Sequence, residues 1–235
     1  METFALTHTG LTRKRNEDRY LVKEFTDGSI LLAVADGMGG ETAGDYAAEI
    51  MIDRLTDVQT GSGDTHLQLS KLVKEADRII KDEADKNPDL QGMGTTITVT
   101  HLRDDSVHWA HVGDSRLYIL HDRELIQITK DQNVAQFLVD EGEITVKEAR
   151  KHPLRNLLDQ CVGCAECKPE TGYFKINSGD LMILSSDGLH GAVPDETITS
   201  LLSGNTDTEA KVRSLIQVAL EAGGKDNITV VAAKI

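Results

Sequence analysis

Two sets of residues in this sequence have types and spacings that chemistry uses. The first is compact: "CVGCAEC", residues 161–167, gathers all three cysteines, Cys161, Cys164 and Cys167, at intervals that suit a soft-metal cluster or a redox pair. The second is dispersed. Asp36 in "LLAVADGMGG" and Asp187 in "LMILSSDGL" each end a strongly apolar run and precede glycine, while Asp226 in "GGKDNITVV" stands just before one. An aspartate at a strand end, beside a residue that permits a tight turn, projects its carboxylate from the rim of a sheet. Three such carboxylates meeting at one point repel unless they are protonated or bridged by hard divalent cations with oxygen shells, a role that suits Mg²⁺ or Mn²⁺. Asp-Gly is also the commonest turn dipeptide, so each Asp-Gly taken singly reads first as a plain turn, and two of them capping apolar strands weaken that reading without dismissing it. The run "RKRNED", residues 13–18, likewise reads either as a solvated charged turn or as an arginine that forks onto phosphate oxygens beside carboxylates that organise water.

Bulk composition narrows the classes of function. Acidic residues outnumber basic ones 39 to 25, a formal charge of -14, which opposes a general affinity for nucleic acid or anionic lipid. A phosphorylated partner remains compatible if cations at a local site screen the repulsion. No apolar run approaches the roughly 20 residues of a membrane span. The start "METFALTHTG" lacks the basic and apolar stretches of a leader, so a cytoplasmic location is expected. Three cysteines cannot all pair within one chain, and a reducing compartment would hold them as thiols.

The elements that must position these groups follow from periodicity. Alternation predicts strands in "TFALTH" (3–8), "RYLVKEF" and "SILLAVAD", the last two joined at Asp27-Gly28 as a hairpin. Leu69, Leu72, Val73, Ala76, Ile79 and Ile80 recur at three and four, one buried face of a helix over 65–82, and 41–55 carries a weaker version. "GTTITVTHL" (94–102), "SVHWAHVG" (106–113) and "SRLYIL" (115–120) read as an antiparallel meander. Residues 132–158 are polar and helix-prone up to Pro153, an insertion between sheets. Strands at "TGYFKI" and "DLMILSSD", helices near 195–203 and 207–222, and a last strand "NITVVAAKI" complete the chain. Strands cluster in hairpins, so an α+β fold with antiparallel sheets and outer helices is expected.

The ordered blocks "GLTRKRNED" (10–18), "VADGMGG" (34–40), "GMGTT" (92–96), "HVGDSRLY" (111–118), "ITKDQN" (128–133), "HPLRNLL" (152–158), "SSDGL" (185–189) and "GGKDNITVV" (223–231) span nearly the whole chain. Together they closely resemble the bacterial branch of the PP2C (PPM) metal-dependent protein serine/threonine phosphatases. That resemblance implies one domain over 1–235, a four-layer α-β-β-α sandwich with a small flap subdomain at about 133–157. It implies two Mn²⁺ or Mg²⁺ ions: Asp36 bridging both, the carbonyl of Gly37 on one, and Asp187 and Asp226 on the other. Glu17, Asp18 and Asn227 resemble residues that hold the surrounding waters and ligands in place. Asp131 matches the position that, with Asp187, serves a weaker third metal. Arg13 matches the phosphate-binding arginine, whereas Lys14 and Arg15 read as surface charges.

The implied reaction is hydrolysis of phosphoserine and phosphothreonine in proteins by direct in-line attack of a metal-bridging water, opposing a bacterial Ser/Thr kinase, by a monomer. Met38 occupies the place where many relatives carry histidine, so no acid is assigned there. His152, beside Pro153 in the flap, is a candidate acid or a structural residue. His108 and His111, three apart on a strand, face opposite sides and make no ligand pair. An inactive phosphopeptide-binding scaffold is the alternative class, marked by loss of a metal carboxylate, yet Asp36, Asp187 and Asp226 are all present. A hydrolase of small phosphate esters would use the same site. The cysteines lie outside every block of the resemblance, and a soft-metal cluster lacks a fourth nearby ligand. They read as plain thiols or as a reversible disulfide that stiffens the flap hinge.

Overall fold

The computed structural model describes residues 1–39, 43–61 and 64–235. The end of the "VADGMGG" block and the first two positions of the helix expected at 41–55 lie outside the described residues. Strands β1 (Glu2–His8), β2 (Asp18–Glu24) and β3 (Ile30–Met38) come first, followed by helices α1 (Ala43–Leu55) and α2 (Thr65–Lys86). Next are β4 (Gly94–Thr95), β5 (Ile97–Arg103), β6 (Ser106–Val112), β7 (Arg116–His121) and β8 (Glu124–Gln127). The segment expected to form the flap carries α3 (Val134–Asp140) and α4 (Val146–Ala149). The chain closes with β9 (Glu170–Lys175), β10 (Leu181–Ser185), α5 (Asp187–His190), α6 (Asp195–Leu202), α7 (Thr208–Glu221) and β11 (Ile228–Lys234).

Two antiparallel sheets result. One has the order β1-β11-β10-β7-β8, and the other β2-β3-β5-β6-β9 with β4 added on β3. Period-two alternation on the inner strands explains the layering. On β3, Leu31, Ala33 and Ala35 pack under α1 and α2 with Met51, Leu69 and Ile80, while Ile30, Leu32 and Val34 face the other sheet. On β11, Ile228, Val230 and Ala232 meet α7, while Val231 and Ala233 face inward. Each central strand is therefore buried on both faces, and three apolar cores separate four layers, helix, sheet, sheet and helix. Helix α2 starts where the Asp64 carboxylate accepts the amides of His66 and Leu67, and it stops ahead of Asn87-Pro88.

The predicted three-strand meander is corrected. Only β5 and β6 pair; β7 leaves for the other sheet, where it lies between β10 and β8. The crossing occurs at Gly113, whose φ of 107° is a left-handed conformation that a side chain resists. The strands around Asn177-Ser178-Gly179 divide in the same way, β9 to one sheet and β10 to the other. Hydrophobic alternation reports burial, not which sheet a strand joins, so neither crossing is written in the pattern.

Candidate metal centre and phosphate site

The rim where the sheets meet holds a cavity of about 610 Å³. Asp36 reaches it from the end of β3, Asp187 from the turn after β10, and Asp226 from the approach to β11. Glu17 and Arg13 enter from the loop before β2. Register explains the convergence: Asp18 pairs directly with Asp36 across β2 and β3, and Ser186, beside Asp187, takes the amide-to-carbonyl bond Ser186 N to Thr229 O.

The carboxylates are held in an environment hostile to their charge. Burial, and then the charges of Asp18 and Asp187, raise the Asp36 carboxyl well above its usual range. Burial, then Asp226 and Asp18, push Asp187 up to about 7. Asp18 rises to about 6 through burial, against the hydroxyls of Thr229 and Ser186 that donate to its Oδ2 at 2.6 and 2.7 Å. Its Oδ1 and the Oε1 of Glu17 are buried without a partner. Two orphaned anionic oxygens and a set of carboxylates driven toward protonation are the signature of a place for cations. Among the described residues, no three His, Cys, Asp or Glu side chains already close on one point.

The surrounding backbone is tightly fixed. Thr96 N donates to Asp36 O at 2.9 Å, Thr95 Oγ1 to the same carbonyl at 3.0 Å, and Asp36 N donates to Thr96 Oγ1. A side chain at Gly37 would collide with the carbonyl oxygens of Gly44 and Glu17, which explains the glycine without any appeal to φ. Asn227 clamps the other side: its Oδ1 accepts Glu17 N at 2.8 Å and its Nδ2 donates to the carbonyls of Thr9 and Arg15. Arg13 Nη2 donates to Asp226 Oδ2 at 2.8 Å, and its side chain is half exposed, leaving the fork free toward the cavity.

One expected site residue, Asp131, is paired elsewhere, and the others are placed as follows. Asp131 is held by an ion pair: Arg116 Nε and Nη2 donate to its two oxygens at 2.7 and 2.6 Å, and Gln127 adds a third donor. Burial alone would raise the Asp131 carboxyl, yet the pairing with Arg116 holds it below its usual range. Asp114 occupies the corresponding place in the cavity wall, 6% exposed, with its carboxyl raised well above the usual range by burial and then by Asp187. Its signal was present in "HVGDSRLY", an aspartate after an apolar strand, but with the glycine before it. His152 is not part of the cavity lining; its Nδ1 accepts the amide of Leu154, a local cap of the Pro153 turn. The flap instead contributes Asn156 and Leu158, which the sequence did not single out. Lys14 and Arg15 line the cavity mouth beside Arg13. His108 and His111 do lie on opposite faces. His111 is buried between Thr98 Oγ1 and Lys130 O, a setting that lowers it to about 4, chiefly through burial.

Of the readings of the cysteines, the structure takes the disulfide. Cys161 and Cys164 form a disulfide with Cα atoms 5.3 Å apart, and Cys167 is free. The segment is folded back by an antiparallel bridge between Val162 and Thr95, which brings the two sulfurs together.

A two-sheet sandwich whose rim gathers aspartates and an arginine defines a class of metal-centred α+β folds. The chain belongs to the protein phosphatase 2C family, whose profile matches residues 11–229. It is 41% identical over 233 residues to the serine/threonine protein phosphatase PstP of Mycobacterium tuberculosis, covering 98% of this chain and 44% of that one. It is 33% identical over 245 residues to the protein phosphatase PhpP of Streptococcus pneumoniae, covering 98% and 96%. The catalytic domain of PstP in complex with two manganese ions superimposes with a TM-score of 0.89 at 38% identity, over 99% of this chain and 97% of that one. The chain thus spans less than half of the mycobacterial relative's length and nearly all of the pneumococcal one.

Proposed function

We propose that this chain is a metal-dependent phosphatase domain that hydrolyses phosphoserine and phosphothreonine in proteins. The observation that carries the reading is the convergence of Asp36, Asp114, Asp187 and Asp226 on one cavity, with Asp18 buried beside Asp36 and Arg13 at the mouth. Asp36, the carbonyl of Gly37, Asp187 and Asp226 would hold two Mn²⁺ or Mg²⁺ ions, with the orphaned oxygens of Glu17 and Asp18 receiving their waters. Asp114, with Asp187, is the pair offered to a third, weaker ion. When bound, the ions supply a water of lowered pKa and a counter-charge for the phosphoryl oxygens.

The chain's own groups do the rest. Arg13 gives up part of its contact with Asp226 and forks onto the phosphate, fixing its orientation. Lys14 and Arg15 draw a dianionic ester to a molecule whose net charge would otherwise repel it. Asn156 and Leu158 place the flap against the side chain that carries the phosphate, which gives the flap its part in substrate choice. Attack by water directly on phosphorus needs no protein nucleophile. The relatives' names support a phosphoprotein substrate; a Ser/Thr kinase as the opposing partner and a cytoplasmic setting belong to the proposal. Residues 1–235 are read as one such domain acting as a monomer.

Release of phosphate from a phosphothreonine peptide tests the reading. The expected result is turnover that requires Mn²⁺ or Mg²⁺ and stops with chelator. No release with Mn²⁺ present would make the chain a phosphopeptide-binding scaffold. Turnover of p-nitrophenyl phosphate with none on phosphopeptides would make it a small-ester hydrolase.

A further inference from the structure

The disulfide lies beside the metal centre in a way that the family motifs do not explain. Cys161 and Cys164 close a ring of four residues, and both backbone groups of Val162, inside the ring, bond to Thr95: Val162 N to Thr95 O at 2.8 Å and Thr95 N to Val162 O at 2.9 Å. Thr95 in turn pairs with Gly37 and donates its hydroxyl to Asp36 O. The ring is therefore two hydrogen-bonded steps from the backbone of the bridging aspartate. A third contact ties it to α2, where Asp77 Oδ1 accepts Gly163 N at 2.8 Å. Gly163 has a φ of 95°, and a Cβ there would strike the Ile80 side chain, so the ring sits flush on the helix. Three residues upstream of Cys161, Leu158 bridges to Asn133 at the neck of the flap and lines the cavity.

Accessibility differs along the trio in the way an exchange reaction requires. Cys161 is fully buried, whereas Cys164 is only half-buried, so of the two it is the one nearer to solvent, although both sulfurs lie close to Gly94. Cys167 packs against the α2 core, and burial, then Asp77, push its thiol up to about 12, so it stays protonated and does not scramble the pair. A ring this short constrains the unfolded chain little, so cutting it leaves the fold standing.

We propose that the Cys161–Cys164 bond is a redox switch that sets the affinity of the neighbouring carboxylate site for its divalent cation. The proposal rests on the metal-dependent reading above. The bonded form holds Val162 against Thr95 and so fixes Asp36 and Gly37. The reduced form frees the ring, and the Val162–Thr95 bridge opens more often. The reductant is a dithiol of the thioredoxin or dithiothreitol type. One of its thiolates attacks the Cys164 sulfur, Cys161 leaves as thiolate and takes a proton, and the second reductant thiol then closes the reductant's own disulfide and releases Cys164 as a thiol. Two electrons and two protons pass to the protein, and the dithiol is oxidised by the same amount.

The test compares wild-type protein in two states, prepared with dithiothreitol or with diamide and desalted without air. Thiol titration should find one free thiol in the oxidised form and three in the reduced form. Reduction should speed amide exchange at Thr95 and Val162 and weaken Mn²⁺ binding, measured calorimetrically, by about fivefold or more. Cys164→Ser should match the reduced protein in both treatments, and Cys167→Ser should switch as the wild type does. Three free thiols after diamide, or equal exchange and equal Mn²⁺ affinity in the two states, would overturn the switch alone. Absence of Mn²⁺ binding in both states would overturn the metal-dependent reading and the switch with it.

Discussion

Asp187→Asn in metal-free protein separates a built cation site from an ordinary acidic cluster. In the folded chain burial and the neighbouring charges of Asp226 and Asp18 raise the Asp187 carboxyl from 3.8 to about 7. Because the folded value lies above the unfolded one, the folded state binds more protons between these limits, and stability falls as pH rises from about 4 to about 7. The full cost of such a rise is at most about 4 kcal/mol, and water in the open cavity together with coupling to Asp36 and Asp226 reduces it to about 2 kcal/mol. Asparagine keeps the shape and removes the charge. With chelator at pH 8 the variant should therefore melt about 4–8 °C above wild type. At pH 5 the difference should shrink to about a third of that, since most of the titration lies above pH 5. Added Mn²⁺ should invert the order: at about a hundred times its dissociation constant it stabilises wild type by about 2.7 kcal/mol and the variant far less. Scanning calorimetry at both pH values reads all three results. A variant no more stable than wild type in chelator at pH 8 would refute the claim that this carboxylate is held against its own charge for a cation.

Other substitutions probe the remaining assignments. Asp131→Asn removes the two-pronged charge partner of the buried Arg116, leaving it Tyr118 and a longer contact to Asp195, and should destabilise the chain by about 2–4 kcal/mol, seen as a loss of melting temperature. Asp114→Asn should instead leave the melting temperature unchanged or raised in chelator while increasing the Mn²⁺ concentration needed for half-maximal phosphate release. Arg13→Ala should lower kcat/KM on a phosphothreonine peptide by about thirtyfold, roughly 2 kcal/mol, with Arg13→Lys recovering only part because one ammonium replaces a fork. Gly37→Ala should abolish Mn²⁺ binding and soluble expression together, since its methyl would sit in the space of the Gly44 carbonyl.

Much of this molecule is legible in its sequence, for local reasons. The alternation in "ILLAVADGM" makes β3 a strand buried on both faces, and the stripe from Leu69 to Ile80 makes α2 an amphipathic helix; both follow from side-chain periods of two and 3.6. Asp36, Asp187 and Asp226 were marked by strand-end aspartates next to turn residues, and the order of the family blocks joined them into one site. Three things needed the folded chain. The sheet that β7 joins is chosen by a crossing at Gly113, and that crossing aims Asp114 into the cavity; no periodicity encodes it. Whether an aspartate is offered to a cation or spent on an ion pair depends on what lies across the fold, and Asp131 was decided by Arg116, fifteen positions away and on the neighbouring strand end. The cysteine triplet offered the Cys161–Cys164 pair as one reading beside free thiols, and its spacing did not choose between them. That was set by Val162 docking on Thr95, a long-range bridge that ties a local motif to the backbone of the metal centre.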